Sequence, residues 1–443
     1  MNKTFHITTF GCQMNEHDSE VMAGMLTEKG FTEVSERRDA GVAIINTCSV
    51  RDNADKRFFG TLGQLKHRKE ADPDFIVCVC GCMMQQQHVI DTIKTKYPWV
   101  DIIFGTHNIH EFPTLLENVM TEKTKQIDIW QDGGEIIEGL PSKRLFKCKA
   151  LVNIMFGCNN FCTYCIVPYT RGRERSRHPE EIISEVRKLV ADGVKEIMLL
   201  GQNVNSYRGE GDVDFAQLIY MLNDIEGLER IRFMTSHPKD LSDRLIQAFA
   251  DCDKLCKNIH LPVQSGSTEI LRRMNRKYTR EQYLALVERL REKVPDITMS
   301  TDIIVGFPGE TEEDFQQTLD LVNEVKYDSA FTFLYSIRGG TPAAEYEEQI
   351  PEAVKHERFN RLVEAVNHWS AEKNAAYNGR VERVLVEGPS KRNSNTFCGR
   401  TDGFKLVNFA GSPEMTDNFV DVEITEGKTF SLEGRIVDRG EDI

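Results

Sequence analysis

At 443 residues, with 40% apolar and 28% charged side chains, the chain is long enough for roughly two to four domains that each bury a core. Those proportions exclude a disordered chain, a fibrous repeat and a small disulfide-stapled module. The 55 Lys and Arg against 69 Asp and Glu leave a net charge of −14, so a polyanionic partner must meet a local basic patch rather than the global field. No apolar run approaches the roughly 18 residues of a membrane span, and Met1-Asn2-Lys3-Thr4-Phe5-His6 lacks a signal-peptide core, so a cytoplasmic chain is expected. Twelve cysteines in a reducing compartment point to metal ligation rather than disulfides.

Residues 3 to 118 alternate short apolar runs (Phe5 to Phe10, Val42 to Asn46, Phe75 to Val79, Val100 to Phe104) with amphipathic segments, which predicts a parallel α/β domain over 1–120. The polar stretch 121–143, with Gly133-Gly134 and Pro141, reads as a connector. From 144 to 376 six strands are expected, at Ala150 to Met155, Glu196 to Leu200, Arg230 to Met234, Asn258 to Val263, Thr298 to Val305 and Ala330 to Tyr335. Six βα units are too few to close an eight-fold barrel, so an open, partial barrel follows, with its site at the C-terminal strand ends. Residues 352 to 375 form one amphipathic helix with Phe359, Leu362, Val363, Val366 and Trp369 on its apolar face. Over 377–443 short strands broken by Gly, Pro, Asn and Ser predict a small five-stranded β-barrel.

The densest chemical signal is Gly157-Cys158-Asn159-Asn160-Phe161-Cys162-Thr163-Tyr164-Cys165, directly after the first barrel strand. Three thiolates in eight residues can hold three irons of a [4Fe–4S] cube and leave the fourth open. A zinc site would need a fourth ligand, and His178 is thirteen residues away. A second set is dispersed: Cys12, Cys48 and Cys82 each stand at or just past the end of an apolar strand. In a parallel sheet those ends share one edge, so the three thiols converge; burial in the core is the alternative. Cys78 and Cys80 lie on the alternation face of Cys82, and Cys148, Cys252, Cys256 and Cys398 suggest no role.

The Cys158–Cys165 run resembles the signature of radical S-adenosylmethionine (SAM) enzymes, in which the open iron binds SAM and an electron from the cube cleaves it to a 5′-deoxyadenosyl radical. The resemblance implies that Tyr164 packs beside the adenine and that Gly201, Gln202, Asn203, Ser236, Gln264, Asp302 and Gly306 line the cofactor site. Residues 3–118 are similar to the N-terminal domain of the methylthiotransferases, and the implied ligands of their auxiliary [4Fe–4S] cluster fall on Cys12, Cys48 and Cys82. The family implies a sulfur-group transferase that uses two SAM per turnover, one as methyl donor and one as radical source.

Two basic segments offer phosphate contacts. The first carries Arg171, Arg173, Arg175 and Arg177 beside Tyr169, and the second runs from Arg272 to Arg280. A solvated face paired with neighbouring glutamates is the plainer alternative. The C-terminal segment resembles the TRAM module, an RNA-binding barrel, although it holds nine Lys and Arg against twelve Asp and Glu; Lys391 and Arg392 are its candidate contacts. Within the family, the Cys158–Glu174 run, Gly201–Tyr207 and Tyr335–Pro342 are most similar to members that act on N6-isopentenyladenosine at position 37 of tRNA. The implied partners are an isopentenylated anticodon stem-loop and a flavodoxin or ferredoxin electron donor, with the enzyme a monomer. Threonylcarbamoyladenosine in tRNA and an aspartate of a ribosomal protein are the alternative substrates within the family, and a non-catalytic iron–sulfur protein is the alternative outside it. Phe331, Phe333 and Tyr335 could wall a prenyl pocket, but inward alternation suits a core strand better.

Overall fold

The computed structural model describes residues 2–49, 52–390 and 393–437. In the N-terminal domain, strands β1 (Thr4–Thr9), β2 (Thr32–Glu33), β3 (Val42–Thr47), β4 (Ile76–Gly81), β5 (Ile102–Phe104) and β6 (Gln126–Asp128) form one parallel sheet in the order β2-β1-β3-β4-β5-β6. Helices cover both faces. Phe5, Ile44, Cys78 and Cys80 pack under helix Gln13–Glu28, while Ile45, Val77 and Val79 pack under the opposite layer with Phe58 and Leu62. β3 and β4 are buried throughout, as strands covered on two faces must be. Within the polar 121–143 stretch, Thr121 and Glu122 end the helix Phe112–Glu122 and Gln126–Asp128 are sheet, because β6 adds to β5.

The middle of the chain is the expected open barrel, in two arcs: β11 (Arg230–Phe233), β10 (Glu196–Leu200) and β7 (Lys149–Asn153), then β12 (Asn258–His260), β13 (Thr298–Val305) and β14 (Ser329–Leu334). All adjacent pairs within the arcs are parallel. A ribbon of β8 (Met155–Phe156) and β9 (Arg175–Ser176) closes the base of the cysteine loop, pairing Phe156 with Arg175. The helix Glu352–Ala375 spans the residues expected of it, with Leu362 and Val366 buried in the barrel core.

The C-terminal barrel closes in the order β15-β16-β17-β19-β18, from β15 (Val381–Ser390), β16 (Asn393–Arg400), β17 (Leu406–Ala410), β18 (Phe419–Gly427) and β19 (Leu432–Ile436). It sits against the N-terminal ends of the large barrel's strands. Arg230 donates to the carbonyl of Arg400 (2.9 Å), Arg232 to that of Asp402 (2.7 Å) and Thr298 to that of Gly403 (2.8 Å). Lys405 pairs with Asp328 at 2.8 Å. Phe404 enters the lumen and packs on the cluster of Met198, Leu200 and Met14. The small barrel is therefore the floor of the large one.

Candidate active site

The cysteine loop leaves β8 through Gly157. Its φ of +77° suits glycine, and a Cβ there would overlap the carbonyl oxygens of Gly172 and Arg173. Cys158 N donates to Gly172 O at 3.1 Å, and Cys165 N to Cys162 O at 2.9 Å. Phe161 is held left-handed (φ +46°) by Asn275, whose amide donates to the carbonyls of Asn160 and Phe161; such strain persists only where surroundings enforce it. Burial pushes the Cys158 thiol up to about 11 and Cys165 up to about 12. Where burial disfavours the bare thiolates of Cys158 and Cys165, a cation is needed to ionise them, which is the donor chemistry of a metal cluster.

Cys12, Cys48 and Cys82 come together at the C-terminal edge of β1, β3 and β4. Cys12 immediately precedes helix Gln13–Glu28, Cys48 follows β3, and Cys82 turns out of β4 after Gly81. Gly81 has φ +97°, and a Cβ there would overlap Thr47 O. Asn15 donates to Asn46 Oδ1 and Thr47 O, both at 3.1 Å, and Asn46 Nδ2 returns a bond to Asn15 O at 2.8 Å. This lattice locks the helix start to the strand ends. A hydrogen bond with Cys48, then the nearby Arg171 charge, draws the Cys12 thiol down to about 6 although burial opposes this. Burial raises the Cys82 thiol, with Arg171 working against it. Among the described residues the buried Thr47 hydroxyl beside Cys48 has no hydrogen-bond partner. Cys78 and Cys80 are not part of the group: both sit in the core, pushed well above the usual thiol range by burial. Among the described residues no three His, Cys, Asp or Glu close on a single-ion position.

Gln202 lies between the two groups. Its Oε1 accepts from Gly157 N and its Nε2 contacts the Met14 sulfur. Asn203 donates to Asp240 at 2.8 Å while its own Oδ1 is buried and unpartnered. Gly201 is packed against Met155, and Ser236 Oγ donates to His260 O. Gln264 stands at φ +72° and bonds its N–H to Asp302 O at 2.8 Å. The Asp302 carboxylate is 3.4 Å from His260 Nε2. Gly306 N donates to Glu310 at 3.0 Å, and Tyr164 packs against Met274, Phe307 and Tyr335. Sequence reasoning missed His260 and Arg276 as site residues. The first read as a strand residue and the second as part of a basic patch, yet Arg276 is buried with Nη1 3.6 Å from Cys162 Sγ.

The arginine segment requires a correction. Arg171 and Arg177 are buried, not offered to solvent: Arg171 pairs with Asp18 (2.8 Å), and Arg177 with Glu138 (2.8 Å) and Glu185 (2.7 Å). Arg175 donates to the carbonyls of Gly133 and Gly134. Arg173 alone of the four is exposed, its guanidinium 4.4 Å from the Phe161 ring centre. Tyr169, 49% exposed, meets the same ring edge-on at 6.0 Å. In the second segment Arg272, Arg273 and Arg280 pair with Glu269, Glu348 and Glu324. Lys391 and Arg392 lie outside the described residues. The preference for a core role on β14 also fails for two residues: Phe331 is 53% and Phe333 45% exposed, and only Tyr335 is buried. They alternate inward, but the open barrel leaves them facing a cleft.

An open six-stranded barrel with a Cys-x3-Cys-x2-Cys loop at its C-terminal mouth defines a radical SAM protein, and residues 152–322 match the Radical SAM superfamily. Residues 4–105 match the uncharacterized protein family UPF0004 and residues 375–437 the TRAM domain. A tRNA-2-methylthio-N(6)-dimethylallyladenosine synthase of Clostridium botulinum (strain Langeland) is 58% identical over 432 residues, 97% of this chain and 96% of the relative. Proteins of the same name from Clostridioides difficile (strain 630) and Alkaliphilus oremlandii are 57% and 56% identical, over 97% and 98% of this chain and 90% and 93% of theirs. The chain belongs to this family of radical SAM methylthiotransferases. In fold it is similar to the radical SAM methyltransferase TsrM from Kitasatospora setae, with TM-score 0.58, 14% identity, and coverage of 78% of this chain and 74% of that one.

Proposed function

We propose that the chain installs a methylthio group on C2 of N6-isopentenyladenosine at position 37 of tRNA, using two [4Fe–4S] clusters held by Cys158, Cys162, Cys165 and by Cys12, Cys48, Cys82. The observation that carries this reading is the pair of three-cysteine groups meeting at one mouth of the barrel, with Gln202 touching the loop of one and the helix start of the other. When bound, the first cluster with SAM supplies the radical that removes hydrogen from an unactivated carbon, and the second holds the sulfur to be transferred.

The chain's own residues bind, orient and exclude water. With a cluster bound, each of the three thiolates at a site would serve a separate iron. Gly157 and Gly81 let backbone approach each site where a side chain would collide. The cofactor-facing wall is Gln202, Asn203, Ser236, Gln264 and the His260–Asp302 pair, joined by Gly201 and Gly306 at the strand ends and by Tyr164. Phe331 and Phe333 give the cleft an apolar side that a prenyl group would cover. At the rim Tyr169, Phe161 and Arg173 present ring faces and a cation to unpaired bases of an anticodon loop. A monomer reduced by a flavodoxin or ferredoxin fits this arrangement, in which both sites come from one chain.

The test is anaerobic reconstitution with iron and sulfide, then incubation with isopentenylated anticodon stem-loop RNA, reductant and SAM, followed by nucleoside mass spectrometry. A methylthio product on the isopentenylated RNA is expected. With threonylcarbamoylated stem-loop RNA run in parallel, product only on that RNA, or none on either, would overturn the assignment.

A further inference from the structure

Arg171 belongs to the radical SAM barrel, six residues after Cys165, yet its side chain crosses into the N-terminal domain. Its Nε–H donates to Cys82 Sγ at 3.2 Å, and its Nη2 reaches Asp18 Oδ2 at 2.8 Å. Both side chains are buried, Arg171 at 4% exposure. The backbone that carries it is anchored to the same domain, because Thr106 Oγ1 donates to Thr170 O at 3.2 Å. Buried like Arg177, it has no access to an RNA, and its donor points at the Cys82 sulfur instead.

We infer that Arg171, set by Asp18, is a positioning residue that tunes the electron affinity of the auxiliary cluster through Cys82. This rests on the two-cluster reading above. A hydrogen bond and a positive charge at a ligating sulfur stabilise the more negative, reduced cluster, so they raise its potential. Asp18 works the other way: its carboxylate partly neutralises the guanidinium that the sulfur feels. Burial keeps both terms strong, since solvent does not screen them. The radical-site cysteines have a separate donor: Arg276 Nη1 lies 3.6 Å from Cys162 Sγ, while its Nη2 donates to Pro262 O and its Nε to Tyr278 Oη. Its partners carry no carboxylate, so the two sites are biased independently.

The experiment is an EPR-monitored redox titration of the full-length protein with both clusters, SAM being added to mark the radical-site signal. Asp18→Asn is expected to shift the auxiliary couple positive, because the guanidinium loses its counter-charge. Asp18→Asn combined with Arg171→Gln, which removes both charges and orphans neither, is expected to shift it negative. The radical-site couple stays in place in both. Shifts of the same sign, no shift, or equal movement of both couples would overturn the inference. If the double variant does not fold, the sign of the Asp18→Asn shift alone decides. A wild-type protein with about four irons rather than about eight would remove the two-cluster reading as well, whereas eight irons and unmoved couples would remove this inference only.

Discussion

Arg338 Nη1 donates to the main-chain oxygen of Ser49 at 2.7 Å, so the loop leaving the last strand of the large barrel holds the residue next to Cys48. Thr341 braces that loop, its hydroxyl donating to Arg338 O at 2.8 Å. The chain's Ile337-Arg338-Gly339-Gly340-Thr341 sequence thus ties barrel to sheet at the auxiliary group. Arg338→Ala should cost about 1 kcal/mol and speed amide exchange in β3 more than in the distal β6. Equal exchange in the variant and the parent would mean that the contact carries no weight.

Replacing Cys12, Cys48 and Cys82 by Ala together should lower iron from about eight to about four per chain while leaving reductive cleavage of SAM. Replacing Cys78 and Cys80 by Ala should leave iron unchanged, since both are core residues. Loss of iron in the Cys78/Cys80 variant, with folding intact by circular dichroism, would reassign the ligands.

If Phe331 and Phe333 receive the prenyl group, the double alanine variant loses contact worth about 1.5–3 kcal/mol for each ring the group would bury. Binding of an isopentenylated stem-loop should weaken by at least about tenfold, with little change for the unprenylated RNA. Filter binding of the two RNAs side by side separates this outcome from general damage, which would weaken both alike.

The interface between helix Gln13–Glu28 and the barrel should respond to acid. Asn153 Nδ2 donates to His17 Nδ1 at 3.0 Å, and burial, then the charges of Arg177 and Arg171, lower the His17 pKa from 6.5 to about 4. The folded state therefore binds fewer protons than the unfolded chain between those values, and stability rises with pH across roughly 4 to 6.5 and is level above. Denaturant melts of the cluster-free protein should show a gain from pH 5 to pH 7 that is about 1–2 kcal/mol larger in the parent than in His17→Gln. Identical gains would place the titration elsewhere.

Local signals were readable from residues alone, and long-range pairings were not. The helix Glu352–Ala375 was legible because Phe359, Leu362, Val363, Val366 and Trp369 recur at helical spacing and Asn378-Gly379 follows. The meeting of Cys12, Cys48 and Cys82 followed from parallel strand ends sharing an edge. Arg171 and Arg177 were misread because their partners are remote: Asp18 lies 153 residues from Arg171, and Glu138 lies 39 from Arg177. A run of arginines looks the same in sequence whether acids wait for it or phosphates do. Phe331 and Phe333 failed differently. Alternation correctly turned them inward, but whether inward means core or cleft depends on barrel closure, a property of all six strands. β6 is three residues with one apolar side chain, too short to leave a period.

The seating of Phe404 beneath Met198 and Leu200 changes how a truncation should be interpreted. Cutting away the last 65 or so residues would uncover the buried ends of Arg230, Arg232 and Glu196 and unstop the bottom of the lumen. An inactive stump would then report a leaking vessel as readily as a missing hand for tRNA, so point changes on the outer wall of the small barrel are the fair way to ask what it grips.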